Sequence, residues 1–333
     1  MRRRNFLKTS TLGLVTGLAQ ARTPLPPILG HGEFRYRIVP GWGVLGDKTP
    51  VNNCHGIVED AEGHIILFTD HTDNNVIVYD KAGKLVHKWG TTFPGAHGLS
   101  IVREGRREVL YLTDLKRNAV FKSTLDGEML DEWNWPETSG HYENAGQYRP
   151  SWTLHPPDGR FFVLDGYGKD FIQRISKDGK QEAVFGGQKG GIEHWGPHGG
   201  IYDDGLLIAM SDRQYLLKLD DDGREKLRIP LPGGNPRQIQ RVGDHYYVAH
   251  LADNWPADRD SRGFLSILDK DFKVLSNPGG TAPEYDDDGK LAKMAHKEPV
   301  FLHPHDLVVD GEGSIYVAQF NSGNTYPIKL ERI

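Results

Sequence analysis

The sequence predicts an all-β chain folded as a six-bladed β-propeller, with its last blade closed by an N-terminal strand. Three observations predict it. A strand-and-turn pattern recurs six times at a spacing of roughly 40 to 65 residues, the signature of a repeat architecture. Forty Gly and twenty Pro among 333 residues punctuate it at regular turns. The sixth repeat runs out after three strands, and an unmatched strand near Phe34–Val39 supplies the fourth. Completing the last sheet in this way removes its open edge.

Taken in chain order, residues 1–21 read as an address. Arg2-Arg3-Arg4-Asn5-Phe6-Leu7-Lys8 precedes the apolar run Leu12–Leu18, and Ala19-Gln20-Ala21 offers small residues for cleavage. The paired arginines before Phe-Leu-Lys resemble a twin-arginine export signal, which places the mature chain in the periplasm or outside the cell. The run is too short for a membrane span, which needs about 20 apolar residues. Residues 22–31 read as a Pro-rich linker, and residues 32–333 as the propeller.

Blade one is clearest. It runs from His55-Gly56-Ile57-Val58 through Ile65–Phe68 and Val76–Asp80 to the closing Trp89-Gly90. Blade two starts at His97-Gly98-Leu99 and turns at Asp126-Gly127. Blade three starts at Pro150-Ser151-Trp152 and ends at Phe185-Gly186. Blade four starts at His198-Gly199-Gly200 and turns at Asp222-Gly223. Blade five starts at Pro236-Arg237-Gln238 and carries an insertion around Asp253 to Arg262. Blade six starts at His305-Asp306-Leu307. Trp42-Gly43, after the N-terminal strand, repeats the aromatic-Gly ending of blade one.

Composition excludes several classes. Forty Lys and Arg against forty-five Asp and Glu give a net charge of −5, and removal of four cationic residues with the signal makes it −9. That is no footprint for nucleic acid. A single cysteine, Cys54, excludes a disulfide framework. No Gly-rich phosphate cradle, Ser-His-Asp hydrolase elbow or dinucleotide fingerprint occurs. The acidic runs Asp220–Asp222 and Asp286–Asp288 lack calcium-loop spacing and read as solvated turns. The expected partner is a small-molecule substrate; nucleic acid and membrane are not expected, and the sequence leaves the oligomeric state open.

In a propeller the first strand of each blade lines the axial channel, so equivalent positions face one another. Those positions hold His55, His97, Ser151 or Trp152, His198, Arg237 or Gln238, and His305. Only 15 His occur in the chain, yet four of these six slots are His. Imidazoles at one level suit zinc or another divalent transition metal. His303 flanks the same position. Glu143, Tyr148, Arg149 and Trp255 are the candidate rim residues.

Pro94–Ser100, Val163-Leu164-Asp165-Gly166-Tyr167, Pro197-His198 with Ser211-Asp212-Arg213, and Pro304–Leu307 resemble the peptidyl-α-hydroxyglycine α-amidating lyase family, among the NHL-repeat propellers. The resemblance implies zinc on His97, His198 and His305, and Tyr167 as the base for a hydroxyl polarised by the metal. It also implies Arg213 in the pocket, and calcium deeper on the axis at Asp306 with the carbonyls of Leu99 and Ile57. Three positions depart from the family. Asp70 stands where the family grips a substrate carboxylate with Arg, His303 replaces a Met, and His55 is an additional imidazole. Asp70 and His303 therefore join the candidate catalytic residues, and His55 the metal ligands. The expected activity is that of an exported metal-dependent lyase cleaving a carbon–nitrogen or carbon–oxygen bond. The added polar groups keep two other readings open: a lyase or hydrolase acting on a sugar or uronate, and a non-catalytic propeller binding a peptide or protein partner.

Overall fold

The computed structural model describes residues 27–188, 196–211, 213–251, 262–320 and 324–333. The export signal, Trp195, Asp212, Trp255 and the insertion from Asp253 to Ser261 lie outside them. The chain opens with a hairpin, β1 (Ile28–His31) and β2 (Phe34–Val39). Blade one follows as β3 (Cys54–Glu59), β4 (Ile65–Thr69), β5 (Val76–Tyr79) and β6 (Leu85–Trp89). Blade two is β7 (Ala96–Glu104), β8 (Arg107–Asp114), β9 (Ala119–Thr124) and β10 (Met129–Asn134). Blade three is β11 (Trp152–Leu154), β12 (Phe161–Leu164), β13 (Phe171–Ile175) and β14 (Gln181–Gly186). Blade four is β15 (Pro197–Tyr202), β16 (Leu206–Met210), β17 (Tyr215–Leu219) and β18 (Glu225–Pro230). Blade five is β19 (Pro236–Val242), β20 (His245–His250), β21 (Phe264–Leu268) and β22 (Val274–Ser276). Blade six is β23 (Pro304–Val309), β24 (Ile315–Gln319) and β25 (Ile328–Arg332).

Each blade is an antiparallel sheet, and the six innermost strands touch in the order β3, β7, β11, β15, β19, β23, with β23 meeting β3. The protein is a six-bladed β-propeller. The N-terminal strand closes blade six as expected: β2 pairs with β25, Tyr36 opposite Arg332 and Ile38 opposite Leu330. β1 then pairs with β2, so blade six has five strands. Residues 28–31, expected at the end of the linker, therefore belong to the propeller. Leu29, Phe34 and Tyr36 enter a core shared with blade five, while Arg35 and Arg37 alternate outward.

The burial of each strand follows its place in the ring. β4 is buried at every residue because both of its faces meet a neighbouring blade, whereas β6 at the rim is exposed over Leu85–His87. The aromatic endings of the repeat tie blade to blade. A Cβ on Gly127 would come 2.6 Å from Trp89, one on Gly179 2.8 Å from Trp133, and one on Gly223 2.3 Å from Phe185. In each case an aromatic from one blade's fourth strand lies on the turn glycine of the next blade, where no Cβ fits. The Trp89 indole N–H donates to the Leu125 carbonyl at 2.8 Å. Trp42 repeats the device across the closure: it packs on Gly83 and donates to the Lys81 carbonyl at 3.1 Å.

Candidate metal centre

β-Bulges place the axial side chains. The pairing register slips between Cys54 and Gly56, between Pro197 and Gly199, and between Pro304 and Asp306. His55, His198 and His305 each sit in the slip. In blade two the slip falls between Ala96 and Leu99 and contains His97. An extra residue breaks the strict alternation of the strand and turns its side chain toward the axis. All four histidines are buried.

Three of them are locked in one tautomer by the neighbouring blade. His97 Nδ1 donates to the Ser151 carbonyl at 2.8 Å, His198 Nδ1 to the Arg237 carbonyl at 2.9 Å, and His305 Nδ1 to the His55 carbonyl at 2.7 Å. A carbonyl can only accept, so each Nδ1 carries the proton and each Nε2 keeps a lone pair. Even-numbered blades supply the imidazoles, and odd-numbered blades supply the carbonyls that orient them. The three rings form a nearly equilateral triangle: their centroids are 4.8 Å apart for His97–His198, 4.7 Å for His97–His305 and 4.8 Å for His198–His305. Rings bound to one zinc through Nε2 at about 2.0–2.1 Å would have centroids roughly 5 Å apart. The His97 Nε2 is buried and has no hydrogen-bond partner, the condition of a ligand atom awaiting a cation. Burial drives the pKa of all three rings well below the ordinary value, and the positive charge of Arg237 adds to the effect. The rings are neutral, the form that binds metal.

His55 joins this group. Its ring lies 4.9 Å from His97 and 4.7 Å from His305, and its Nδ1 is 3.5 Å from His305 Nε2. Ligand nitrogens of His55, His97 and His305 lie within 4.8 Å of one another. Burial lowers the His55 pKa to about 3. Phe320 walls the cluster, its ring 5.3 Å from His55 and 5.9 Å from His305.

Tyr167 meets the cluster from above, its hydroxyl donating to His198 Nε2 at 3.0 Å. It rides on the turn between β12 and β13, which Asp165 holds. The Asp165 carboxylate accepts from the Arg149 and Lys169 amides at 2.6 and 2.8 Å and from the Tyr142 hydroxyl at 2.9 Å. Gly166 allows this turn to press on the Pro197 carbonyl, 2.1 Å from where a Cβ would stand. Arg213 is exposed on the turn after β16. Its amide bonds the carbonyl of Met210, which pairs with Pro197 beside His198.

The two substituted positions bind neighbouring loop residues. The Asp70 carboxylate accepts from Asn52 Nδ2, the Asn53 amide and Asn53 Nδ2, each at 2.9 Å, and so fixes the chain entering β3 just before His55. His303 has φ +57° and bonds the Phe320 carbonyl through Nδ1 at 3.1 Å. Among the rim candidates, Tyr148 is fully buried, in the core between blades two and three.

Beyond the histidines the axis continues as a channel of about 400 Å³ lined by Ile57, Leu99, Gln238 and Asp306 among others. Asp306 is buried; Oδ2 accepts from the Ile57 amide at 2.8 Å and Oδ1 from the Leu307 amide at 2.7 Å. Burial raises its pKa well above the ordinary carboxylate value, so a nearby cation would favour its charged form. Gln238 Oε1 is buried without a partner.

No protein-family model matches the chain, and no curated protein sequence does. Solved structures do match. A virginiamycin B lyase from Staphylococcus aureus is similar at TM-score 0.57 and 16% identity, over 90% of this chain and 100% of that one. A gluconolactonase from Xanthomonas campestris is similar at TM-score 0.57 and 13% identity, over 93% of this chain and 98% of that one. A protein of unknown function from Bacteroides thetaiotaomicron gives 0.58 and 14%, over 86% and 70%. At these identities the likeness is one of fold.

The Ser151 and Arg237 carbonyls could not be foreseen, because a backbone acceptor leaves no mark in residue identity. Arg237 reads in the sequence only as filling a slot; the side chain is buried and its charge reaches three of the histidines.

Proposed function

We propose that the protein is an exported metal-dependent lyase resembling the peptidyl-α-hydroxyglycine α-amidating lyase. One observation carries this reading: three imidazoles, each with Nδ1 fixed by a carbonyl of the next blade, have their rings at the corners of a triangle 4.7–4.8 Å on a side, with a tyrosine hydroxyl 3.0 Å from one of them. His97, His198 and His305 would hold the ion, and their all-nitrogen donor set suits zinc or another borderline transition metal. When bound, such an ion acts as a Lewis acid and lowers the pKa of a substrate hydroxyl.

The chain's own groups supply the rest. Tyr167, as the phenolate formed when an ion takes His198 Nε2 from its hydroxyl, would accept the hydroxyl proton of a carbinolamide and pass it to the leaving nitrogen. The carbinol carbon becomes the carbonyl of the released aldehyde, its bond to nitrogen breaks, and the leaving amide nitrogen takes a proton. Arg213 stabilises negative charge at the pocket mouth. Phe320 and the buried rings exclude water. Asp70 and His303, expected in the catalytic set, act on this reading by positioning His55 and Phe320. Asp306, with Leu99 and Ile57, suits calcium as a hard-oxygen site on the axis. Residues 1–21 support delivery to the periplasm or beyond.

The test is elemental analysis of the mature protein, followed by turnover of a panel of carbinolamides, uronates and sugar lactones by wild type and His198→Ala. One transition-metal ion per chain and aldehyde release are expected, with ion affinity lowered and release lost in His198→Ala. Turnover confined to uronates or lactones selects a sugar substrate instead. Ion affinity and turnover both unchanged in the variant would remove His198 from the site.

A further inference from the structure

We propose that His55 is a fourth nitrogen ligand, entering through Nδ1, so that the centre is a four-imidazole site. The inference rests on the metal-site reading above and extends it to coordination number and choice of metal.

The geometry points to it in three ways. First, His55 reaches the axis by the same device as His198 and His305, a residue inserted in its blade's first strand. Second, His55 Nδ1 stands 3.5 Å from His305 Nε2. His305 Nε2 carries a lone pair, because its Nδ1 is committed to the His55 carbonyl. A sound N–H···N hydrogen bond is about 2.7–3.2 Å long. Two nitrogens bound to one ion at about 2.0–2.1 Å each lie roughly 3.0–3.5 Å apart. The observed spacing is at the limit for the first arrangement and within range for the second. Third, His97 and His305 are neighbours of both His55 and His198, with ring separations of 4.7–4.9 Å throughout. The four rings thus form two triangles sharing the His97–His305 edge. The ligand nitrogens of one triangle, His55, His97 and His305, already lie within 4.8 Å of one another.

The consequence is chemical. Four neutral imidazoles leave the full charge of the ion uncompensated, and a substrate oxygen must enter as a fifth ligand. The site therefore selects borderline ions that accept five or six ligands and takes anionic or hydroxyl oxygen donors.

The experiment uses the full mature protein, stripped with a chelator and reloaded with Co(II) or Zn(II). Wild type, His55→Ala and His55→Gln are compared after thermal melts of the stripped forms establish that each is folded. Wild type is expected to bind one Co(II) with the weak visible absorption of a five-coordinate ion. His55→Ala is expected to bind at least 10-fold more weakly, with stronger, four-coordinate-like absorption, and Cu(II)-loaded protein should lose one nitrogen coupling in its electron paramagnetic resonance. His55→Gln should fall between the two. Identical affinity and spectra in wild type and both variants would overturn the inference while leaving the three-histidine site standing. Failure of wild type to bind any of these ions would overturn the function reading itself.

Discussion

Replacing Tyr167 with Phe should tighten metal binding while abolishing turnover. In the structure the Tyr167 hydroxyl donates to His198 Nε2 at 3.0 Å, the lone pair that an incoming ion needs. The hydroxyl is thus a competitor for that lone pair. A hydrogen bond of this kind contributes a net of about 0.5–1.5 kcal/mol. Removing it from the empty site lowers the cost of binding by that amount. At about 1.4 kcal/mol per tenfold, zinc affinity should rise by roughly 2- to 10-fold. The ring itself remains, packed 5.0 Å from His97 and 5.5 Å from His198, so the substitution leaves no large cavity. Competition against a chromophoric chelator at neutral pH measures the constant directly. Weaker binding would mean that the phenol is a ligand, and the assignment of Tyr167 as a base would be refuted. An unchanged constant would mean that the hydroxyl does not cap His198 in solution.

Three other outcomes are expected. Tyr36→Ala should destabilise the propeller by about 3–5 kcal/mol, as for other large buried aromatics, because the ring is fully buried where β2 closes blade six; chemical denaturation checks it. Asp306→Asn should remove any rise in melting temperature produced by calcium, which wild type would show through preferential binding to the folded state; equal calcium responses in the two proteins would dismiss the axial oxygen site. The metal-stripped protein should lose stability as pH falls below about 6.5, and excess zinc at the same pH should restore part of it. His55, His155 and His250 are each held down to about 3, and His97, His198 and His305 well below the ordinary value, mainly by burial. Below the unfolded-state pKa the unfolded chain takes up protons that the folded chain refuses, so folding weakens with acid. Asp165, raised to about 7 by burial, and Asp306 act in the opposite sense, but they are outnumbered. Denaturant melts at pH 5 and pH 7.5 test the sign.

The blade count, the start of each blade and the closure at Phe34–Val39 were legible because they rest on side-chain periodicity. Strands buried on both faces read as unbroken apolar runs, and the Asp-Gly turns read as they do because no Cβ fits on Gly127, Gly179 or Gly223 beneath Trp89, Trp133 and Phe185. The four histidines were legible as a set for the same reason, since a propeller forces first-strand positions onto one axis. What escaped was set by backbone. No residue type announces that a bulge will turn His55 or His198 inward, or that the Ser151 carbonyl orients His97. Tyr148 looked like a rim residue beside Arg149, yet its ring falls inward into the core. Asp70 is legible as a charge near the first strand of blade one, and its bonds to Asn52 and Asn53 are not.

The alternation of blades explains why the site needs six of them. An imidazole poised to bind an ion has one nitrogen fixed and the other carrying a lone pair. The carbonyls of Ser151, Arg237 and His55, each on the adjacent blade, lie 2.7–2.9 Å from the Nδ1 they fix. Three ligand blades separated by three anchoring blades give the near-threefold triangle of His97, His198 and His305. Blade one departs from this division: it anchors His305 through the His55 carbonyl and also offers the His55 ring. The residue that anchors His305 is thus also the one whose ring lies 4.7 Å from it.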